Sequence, residues 1–345
     1  MHKTKLIIKI LRVDHTFALT RKPMVKSVFD ISNSREFNEV ADRIFSIQKK
    51  NNPVYGEFTE RLGSSVASAE MPYPFLPIEF FKSAEVKSFE GDPEVVFTSS
   101  GTSGDGTSRH FVKRLSQYEK AFQIGFHQFY GDVSEYTILA LLPSYLEREG
   151  SSLIYMVDRL IEKSEKPDSG FYLDNLEELT SRLKYLNQSG EKVLLIGVSF
   201  ALLDLVERSS FNLKNTIVME TGGMKGRRKE VTRKELHQVL QSGFGVDQIH
   251  SEYGMTELLS QAYSLGSGRF VCPPWMRVFI REVNDPLQPA AEGKTGGINV
   301  IDLANEDSCA FIATQDLGRV CPDGSFEVLG RFDQADVRGC NLMVV

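Results

Sequence analysis

Apolar residues recur at helical spacing at Phe37, Val40, Ala41, Ile44, Phe45 and Ile47, and Ser34 stands where a capping hydroxyl would start that helix. Asn51, Asn52 and Pro53 end it. A proline-rich loop over 71–77 follows, then a short element over 78–82. From there β-rich apolar runs alternate with amphipathic ones. The pattern predicts strands over 94–98, 109–113, 137–142, 192–197 and 216–219. It predicts helices over 116–129, 151–162, 176–186, 201–207 and 229–240. Such alternation implies an α/β fold, a sheet covered by helices. After about residue 260 the pattern changes to short strands over 276–283, 297–302, 310–314 and 325–329, separated by Gly, Pro and Asp. The expected organisation is an α/β core over 27–260 and a smaller β-rich part over 261–345.

The first 26 residues stand apart. Lys3, Lys5, Lys9, Arg12, Arg21, Lys22 and Lys26 face a single Asp14, and the apolar run at Leu6 to Ile8 is too short for a secretory signal. They read as a basic tail, disordered or not native, with Met24 as an alternative start. The remaining bulk properties narrow the class. A chain of 345 residues, 41% hydrophobic and 25% charged, has the composition of a globular protein with ample core. A net charge of −6 argues against a nucleic-acid partner. No apolar run reaches membrane-spanning length. Cys272, Cys309, Cys321 and Cys340 show no paired spacing and no nearby histidine cluster, which argues against zinc. Reduced thiols in a cytoplasmic setting are the default expectation.

The richest chemistry lies in V-F-T-S-S-G-T-S-G-D-G-T-S over 96–108. Hydroxyls and backbone N–H groups crowd one short loop, and glycine lets the backbone approach a ligand closely, which suits a polyphosphate. The loop is not a Walker A motif, because Thr107 occupies the lysine position. It is not a dinucleotide fingerprint either. A flexible Ser/Gly linker has the same composition.

Three further motifs line up behind it. They are Y-G-M-T-E over 253–257, T-Q-D-L-G over 314–318 with Gln315 in the middle position, and G-R-F-D over 330–333 followed by Arg338 and Gly339. Each is weak alone. In this order and spacing the four resemble the phosphate loop, the Y-G-x-T-E motif, the T-G-D-L-G motif and the hinge of adenylate-forming enzymes. Phe80 to Lys82, T-G-G-M-K-G over 221–226, the longer run 252–261 and R-G-C-N over 338–341 narrow the likeness. They resemble the acyl-protein synthetases (LuxE type) of bacterial luminescence fatty-acid reductase complexes, from about residue 24 onward.

That resemblance implies a fold like the larger N-terminal domain of adenylate-forming enzymes, with ATP and Mg²⁺ as cofactors and a carboxylic, expectedly fatty, acid as substrate. Making an acyl adenylate brings a carboxylate to the α-phosphate of ATP, so two anions must be held together and the departing pyrophosphate neutralised. Thr98, Ser99, Ser100, Gly101, Thr102, Ser103 and Gly104 would hold the β- and γ-phosphates. Glu257 would hold Mg²⁺, a hard cation that prefers oxygen. Thr256 would donate to the α-phosphate, Asp316 would accept from the ribose, and Arg331 would contact ribose or phosphate. Gly222 and Gly223 would let the chain pass flat against adenine, with Tyr253 and Gly254 beside the base. Taken singly, Glu257 also reads as a helix-start carboxylate, Asp316 as a turn residue and Arg331 as half of a structural ion pair. His110 and His250 flank the segments, with core or supporting roles expected.

Two departures from the larger relatives stand out. No lysine-bearing domain is expected after Gly339, and no lysine follows the phosphate loop, where Arg109 or Lys113 could substitute. Attention then falls on Cys340, beside Arg338, whose cation favours the nucleophilic thiolate. In acyl-protein synthetases a cysteine near this position accepts the acyl group; a small apolar filler is the other reading. The implied partner is an acyl-CoA-reductase-like subunit or an acyl carrier.

Overall fold

The protein is represented by a computed structural model that describes residues 27–63, 68, 70–99, 106–143, 150–173, 175–222 and 231–332. The basic tail over 1–26, Ser100 to Gly104, Gly223 and the segment from Asp333 through Cys340 lie outside the described residues.

Helix α1 (Ser34–Asn51) buries Phe37, Val40, Ala41 and Ile44, as its periodicity requires, while Ile47 is exposed. Its cap is Asn33, whose side-chain oxygen accepts from the Glu36 N–H at 3.0 Å, so the helix starts one residue before the expected cap has a role. Asn52 and Pro53 end α1 and also start α2 (Pro53–Leu62), which the sequence pattern did not announce. Asn52 accepts from the Tyr55 N–H, and proline suits the first helical turn because its missing N–H is unneeded there. Strand β1 (Leu76–Pro77) and helix α3 (Phe80–Ser83) follow, then β2 (Val95–Thr98) and β3 (Arg109–Val112), which pair as an antiparallel hairpin.

The central layer alternates as expected. It runs α4 (Leu115–Tyr130), β4 (Thr137–Leu141), α5 (Ser152–Ser164), β5 (Gly170–Tyr172), α6 (Leu176–Ser189) and β6 (Val193–Val198). It continues through α7 (Ser199–Arg208), β7 (Thr216–Thr221), α8 (Arg233–Phe244), β8 (His250–Tyr253) and β9 (Ala262–Ser264). These strands form one sheet in the order β5-β4-β6-β7-β8-β9, parallel except for the last pair. Every residue of β4 and β6 is buried, which is why they read as unbroken apolar runs: helices cover both faces of a parallel sheet.

A second sheet comprises β10 (Arg269–Phe270), β11 (Met276–Arg281), β12 (Gly296–Asp302), β13 (Phe311–Val320) and β14 (Phe326–Arg331). It is antiparallel in the order β10-β14-β13-β12-β11, with β1 added parallel to β13. Phe311 of β13 meets Phe45, Tyr55 and Tyr73 at centroid distances of 5.8, 5.8 and 4.7 Å, which fixes α1 and α2 on this sheet. Arg233 of α8 joins the two sheets. It pairs with buried Glu220 of β7 at 3.2 Å, donates to the Val328 carbonyl of β14 at 3.3 Å, and lies 4.8 Å over the Phe270 ring. Among the described residues no helix is long and apolar enough to cross a membrane.

Candidate active site

The carboxyl ends of β7 and β8 point the same way, and the site is built there, where ligands gather in open parallel sheets. Strand β7 ends at Thr221, and Gly222 follows with φ of 68°. The Gly222 carbonyl accepts from the Ser199 hydroxyl at 2.8 Å. Strand β8 ends in Glu252 and Tyr253, and the chain then turns through Gly254 to Glu257. A Cβ on Gly254 would stand 2.3 Å from the Glu252 carboxylate, so a larger residue there would displace that side chain.

Beyond this turn the backbone is clamped from β12 and the residues after it. The N–H groups of Leu259 and Ser260 donate to the Asp302 carboxylate at 2.8 and 2.9 Å, and the Ser260 hydroxyl at 2.6 Å. Trp275 Nε1 donates to Ser260 Oγ at 2.8 Å. Asn305 Nδ2 donates to the Glu257 carbonyl at 2.8 Å, and His110 Nδ1 donates to the Thr256 carbonyl at 2.8 Å.

Glu257 itself is 5% exposed. Burial pushes its carboxyl above the usual range, opposed by a hydrogen bond from Ser108 and by the Arg331 charge, and aided by the Asp316 charge. Asp316 lies inside β13, not in a turn, directly across from Arg331 of β14. The Arg331 Nε–Asp316 Oδ1 distance is 3.3 Å, and the Tyr253 hydroxyl donates to Asp316 Oδ2 at 2.9 Å. Burial also raises Asp316, with Arg331 and Tyr253 opposing. The Tyr253 ring packs on Phe270 and Phe326 at 5.8 and 5.4 Å. The helix-start reading of Glu257 lapses, because Glu257 sits in the turn after β8. The ion-pair reading of Arg331 holds; its side chain is 69% exposed and also donates through Nη2 to Gln315 Oε1 at 3.3 Å.

The hairpin β2–β3 frames the Ser/Thr/Gly loop. Thr98 N–H donates to the Gly150 carbonyl at 2.8 Å, and a Cβ on Gly150 would stand 2.8 Å from Thr98 Oγ1. Ser99 and Ser108 close the base of the loop, with Ser108 N–H donating to Ser99 Oγ at 2.9 Å. Ser108 also reaches Glu257, so Thr98, Ser99, Thr256, Glu257, Asp316 and Arg331 form one connected neighbourhood. Ser108 closes the 96–108 segment that the sequence singles out, but carries no role of its own there; Asp302 and Asn305 lie outside every motif, and their roles come from contacts across long separations.

Glu252 is buried, only 7% exposed. Burial raises its carboxyl to about 7, against a hydrogen bond from Thr221 at 2.5 Å and with help from neighbouring Glu220. The folded value exceeds the ordinary 4.5, so the folded state keeps a proton that the unfolded state gives up. Stability from this group is therefore full below about pH 4.5 and lost as pH rises through about 7. Buried His110, lowered to about 4, acts with the opposite sign between about 4 and 6.5. A difference between wild type and Glu252→Gln removes the histidine contribution. Denaturant unfolding should show the variant gaining on wild type by about 2–3 kcal/mol between pH 4.5 and 7.5. A difference that does not change with pH would mean Glu252 is ionised in the fold.

A parallel sheet presenting a glycine turn and a Y-G-M-T-E turn at its carboxyl ends, closed by an aspartate–arginine pair from an antiparallel sheet, is the architecture of adenylate-forming ligases. Solved structures agree. The ATP-bound MatB of Rhodopseudomonas palustris is similar with a TM-score of 0.53 at 13% identity, over 70% of this chain and 49% of that one. An open conformation of 2-hydroxyisobutyryl-CoA ligase in complex with 2-HIB-AMP and CoA is similar with a TM-score of 0.64 at 10% identity, over 91% and 75%. The chain thus spans about half the length of MatB, and at these identities the likeness is one of fold. The family model for acyl-protein synthetase, LuxE, matches residues 152–345. The chain belongs to this family of ligases. A relative in Aliivibrio fischeri, a long-chain-fatty-acid–luciferin-component ligase, is 25% identical over 297 residues, 78% of this chain and 77% of that protein.

Proposed function

We propose that this protein is an ATP-dependent acyl-protein synthetase acting on a carboxylic, long-chain fatty acid. One observation carries the reading: Ser108, Glu257, Asp316 and Arg331, from four separate stretches of sequence, meet at the carboxyl ends of β7 and β8. In the first half-reaction the carboxylate attacks the α-phosphate, giving acyl-AMP and pyrophosphate. In the second, the Cys340 thiolate attacks the acyl carbonyl, forming a thioester and releasing AMP. A partner, an acyl-CoA-reductase-like subunit or a carrier, then takes the acyl group. The name of the Aliivibrio fischeri relative and the ATP and acyl-AMP bound in the solved structures support this chemistry.

Thr98 and Ser99, with the loop from Ser100 to Gly104, receive the β- and γ-phosphates. Thr256 donates to the α-phosphate. Asp316, held by Tyr253, accepts from the ribose hydroxyls, and the exposed Arg331 meets ribose or phosphate. Gly222 and Gly223 border the adenine. Glu257 is a buried carboxyl raised by burial and by the charge of Asp316, and an Mg²⁺ ion held by its oxygens would suit that hard-oxygen donor. When bound, Mg²⁺ neutralises the developing charge on pyrophosphate. The adenylation core is assigned to 27–260 and the β-rich part to 261 onward.

The acceptor assignment draws on the other thiols. Burial raises Cys309 and the only partly exposed Cys272 to about 12, so neither offers appreciable thiolate at neutral pH. The test is intact-mass measurement under denaturing conditions after incubation with Mg·ATP and saturated acids of graded length. An ATP-dependent gain of one acyl group, removed by hydroxylamine, is expected. Absence of the adduct together with formation of acyl-CoA once coenzyme A is added would make the protein a direct ligase.

A further inference from the structure

Resting on that reading, we propose that His110 is a positioning residue that joins the phosphate-loop hairpin to the Thr256–Glu257 turn through its Nδ1–H. His110 is fully buried on β3, two residues after Ser108, and its ring meets Phe81 edge-on at 5.8 Å. The acceptor of its 2.8 Å hydrogen bond is the Thr256 carbonyl, which can only accept, so the proton is fixed on Nδ1. The next carbonyl, that of Glu257, accepts from fully buried Asn305 at 2.8 Å. Two consecutive peptide units of the turn are thus pinned, one by the hairpin and one by the segment after β12.

The pinning serves more than packing. The Asn305 side chain lies against the His110 ring, close enough to oppose the burial that lowers it, while Nε2 and Asn305 Oδ1 meet no well-formed hydrogen bond. The imidazole supplies one directed donor here. Residues that orient a metal-holding carboxylate through its neighbours typically change affinity or rate by about 10- to 100-fold when removed. Here the donor sets where the Thr256 hydroxyl and the Glu257 carboxylate stand relative to Ser108 and the loop it closes. The hairpin cannot shift without carrying the turn with it.

The isosteres separate the two ring nitrogens. Asparagine places its amide N–H near the Nδ1 position, whereas glutamine places it near Nε2. Three variants, His110→Ala, His110→Asn and His110→Gln, are compared in ATP–pyrophosphate exchange and in binding of α,β-methylene-ATP with and without Mg²⁺. The expected result is that Ala and Gln lower kcat by about tenfold or more, with a smaller change in the acid KM. They also lose most of the affinity that Mg²⁺ adds for the analogue, and Asn restores both within about threefold. Asn as poor as Gln, or a loss seen only in thermal midpoint, overturns the proposal. Should no His110 variant fold, Asn305→Ala, which removes the second clamp, is read by the same Mg²⁺-dependent increment; an unchanged increment overturns it. If wild type exchanges no pyrophosphate with any acid but binds the analogue with a Mg²⁺ increment, the proposed reaction fails while the clamp is still tested by binding.

Discussion

Glu257→Gln is expected to slow pyrophosphate exchange by about 10²-fold or more while the protein stays folded. Glutamine keeps the shape of the side chain and an oxygen to accept from Ser108. The backbone clamps from His110 and Asn305 bind carbonyls, not the side chain, and are untouched. What disappears is the negative charge that would hold Mg²⁺ against the phosphates. Burial already raises this carboxyl, so its neutralisation relieves a desolvation cost, and the variant's thermal midpoint should equal or exceed that of wild type. The diagnostic combination is a stable protein with a deep loss of kcat. Excess Mg²⁺ should not repair it, because a neutral amide is a poor ligand for this ion at any practical concentration. Wild-type exchange in a folded Glu257→Gln protein would reduce Glu257 to a buried structural acid.

The parts of this fold legible in the sequence are those whose cause is local. Strands β4 and β6 are buried on both faces, and their apolar runs could be read directly. Helix α1 could be read from its stripe. Helix α2 could not, since Pro53 looks like a terminator until Asn52 is seen to cap the next helix. Strand β8, His-Ser-Glu-Tyr, has no alternation. Its buried polar groups are satisfied by distant partners: Glu252 by Thr221, Ser251 by His237 at 3.4 Å, Tyr253 by Asp316. The four motifs announced a shared site by their order, but not its connections. Asp316 belongs to a long strand whose pairing with Arg331 requires β14 to fold back, a non-local event. Asp302, which holds three groups of the 259–260 segment, looks like any strand-end aspartate in sequence.

Cys340→Ser should separate the two half-reactions. The proposed adenylation step uses no thiol, so exchange of pyrophosphate into ATP should remain within about twofold of wild type. The covalent acyl adduct should fall to background. A serine hydroxyl is scarcely ionised near neutral pH and is a far weaker nucleophile than a thiolate. The competing thiols bound the expectation. At a pKa of about 12, Cys309 and Cys272 hold fewer than roughly one thiolate in ten thousand at pH 7.5, so neither can replace Cys340 at a comparable rate. Cys321 follows β13, is only partly buried, and is the natural control; Cys321→Ser should leave adduct formation intact. Intact mass before and after hydroxylamine, run beside the exchange assay, reads both outcomes on the same samples. A thioester that survives in Cys340→Ser but vanishes in Cys321→Ser would move the acceptor to the end of β13. An adduct absent from wild type while exchange is brisk would leave adenylation in place and send the acyl group directly to a soluble thiol.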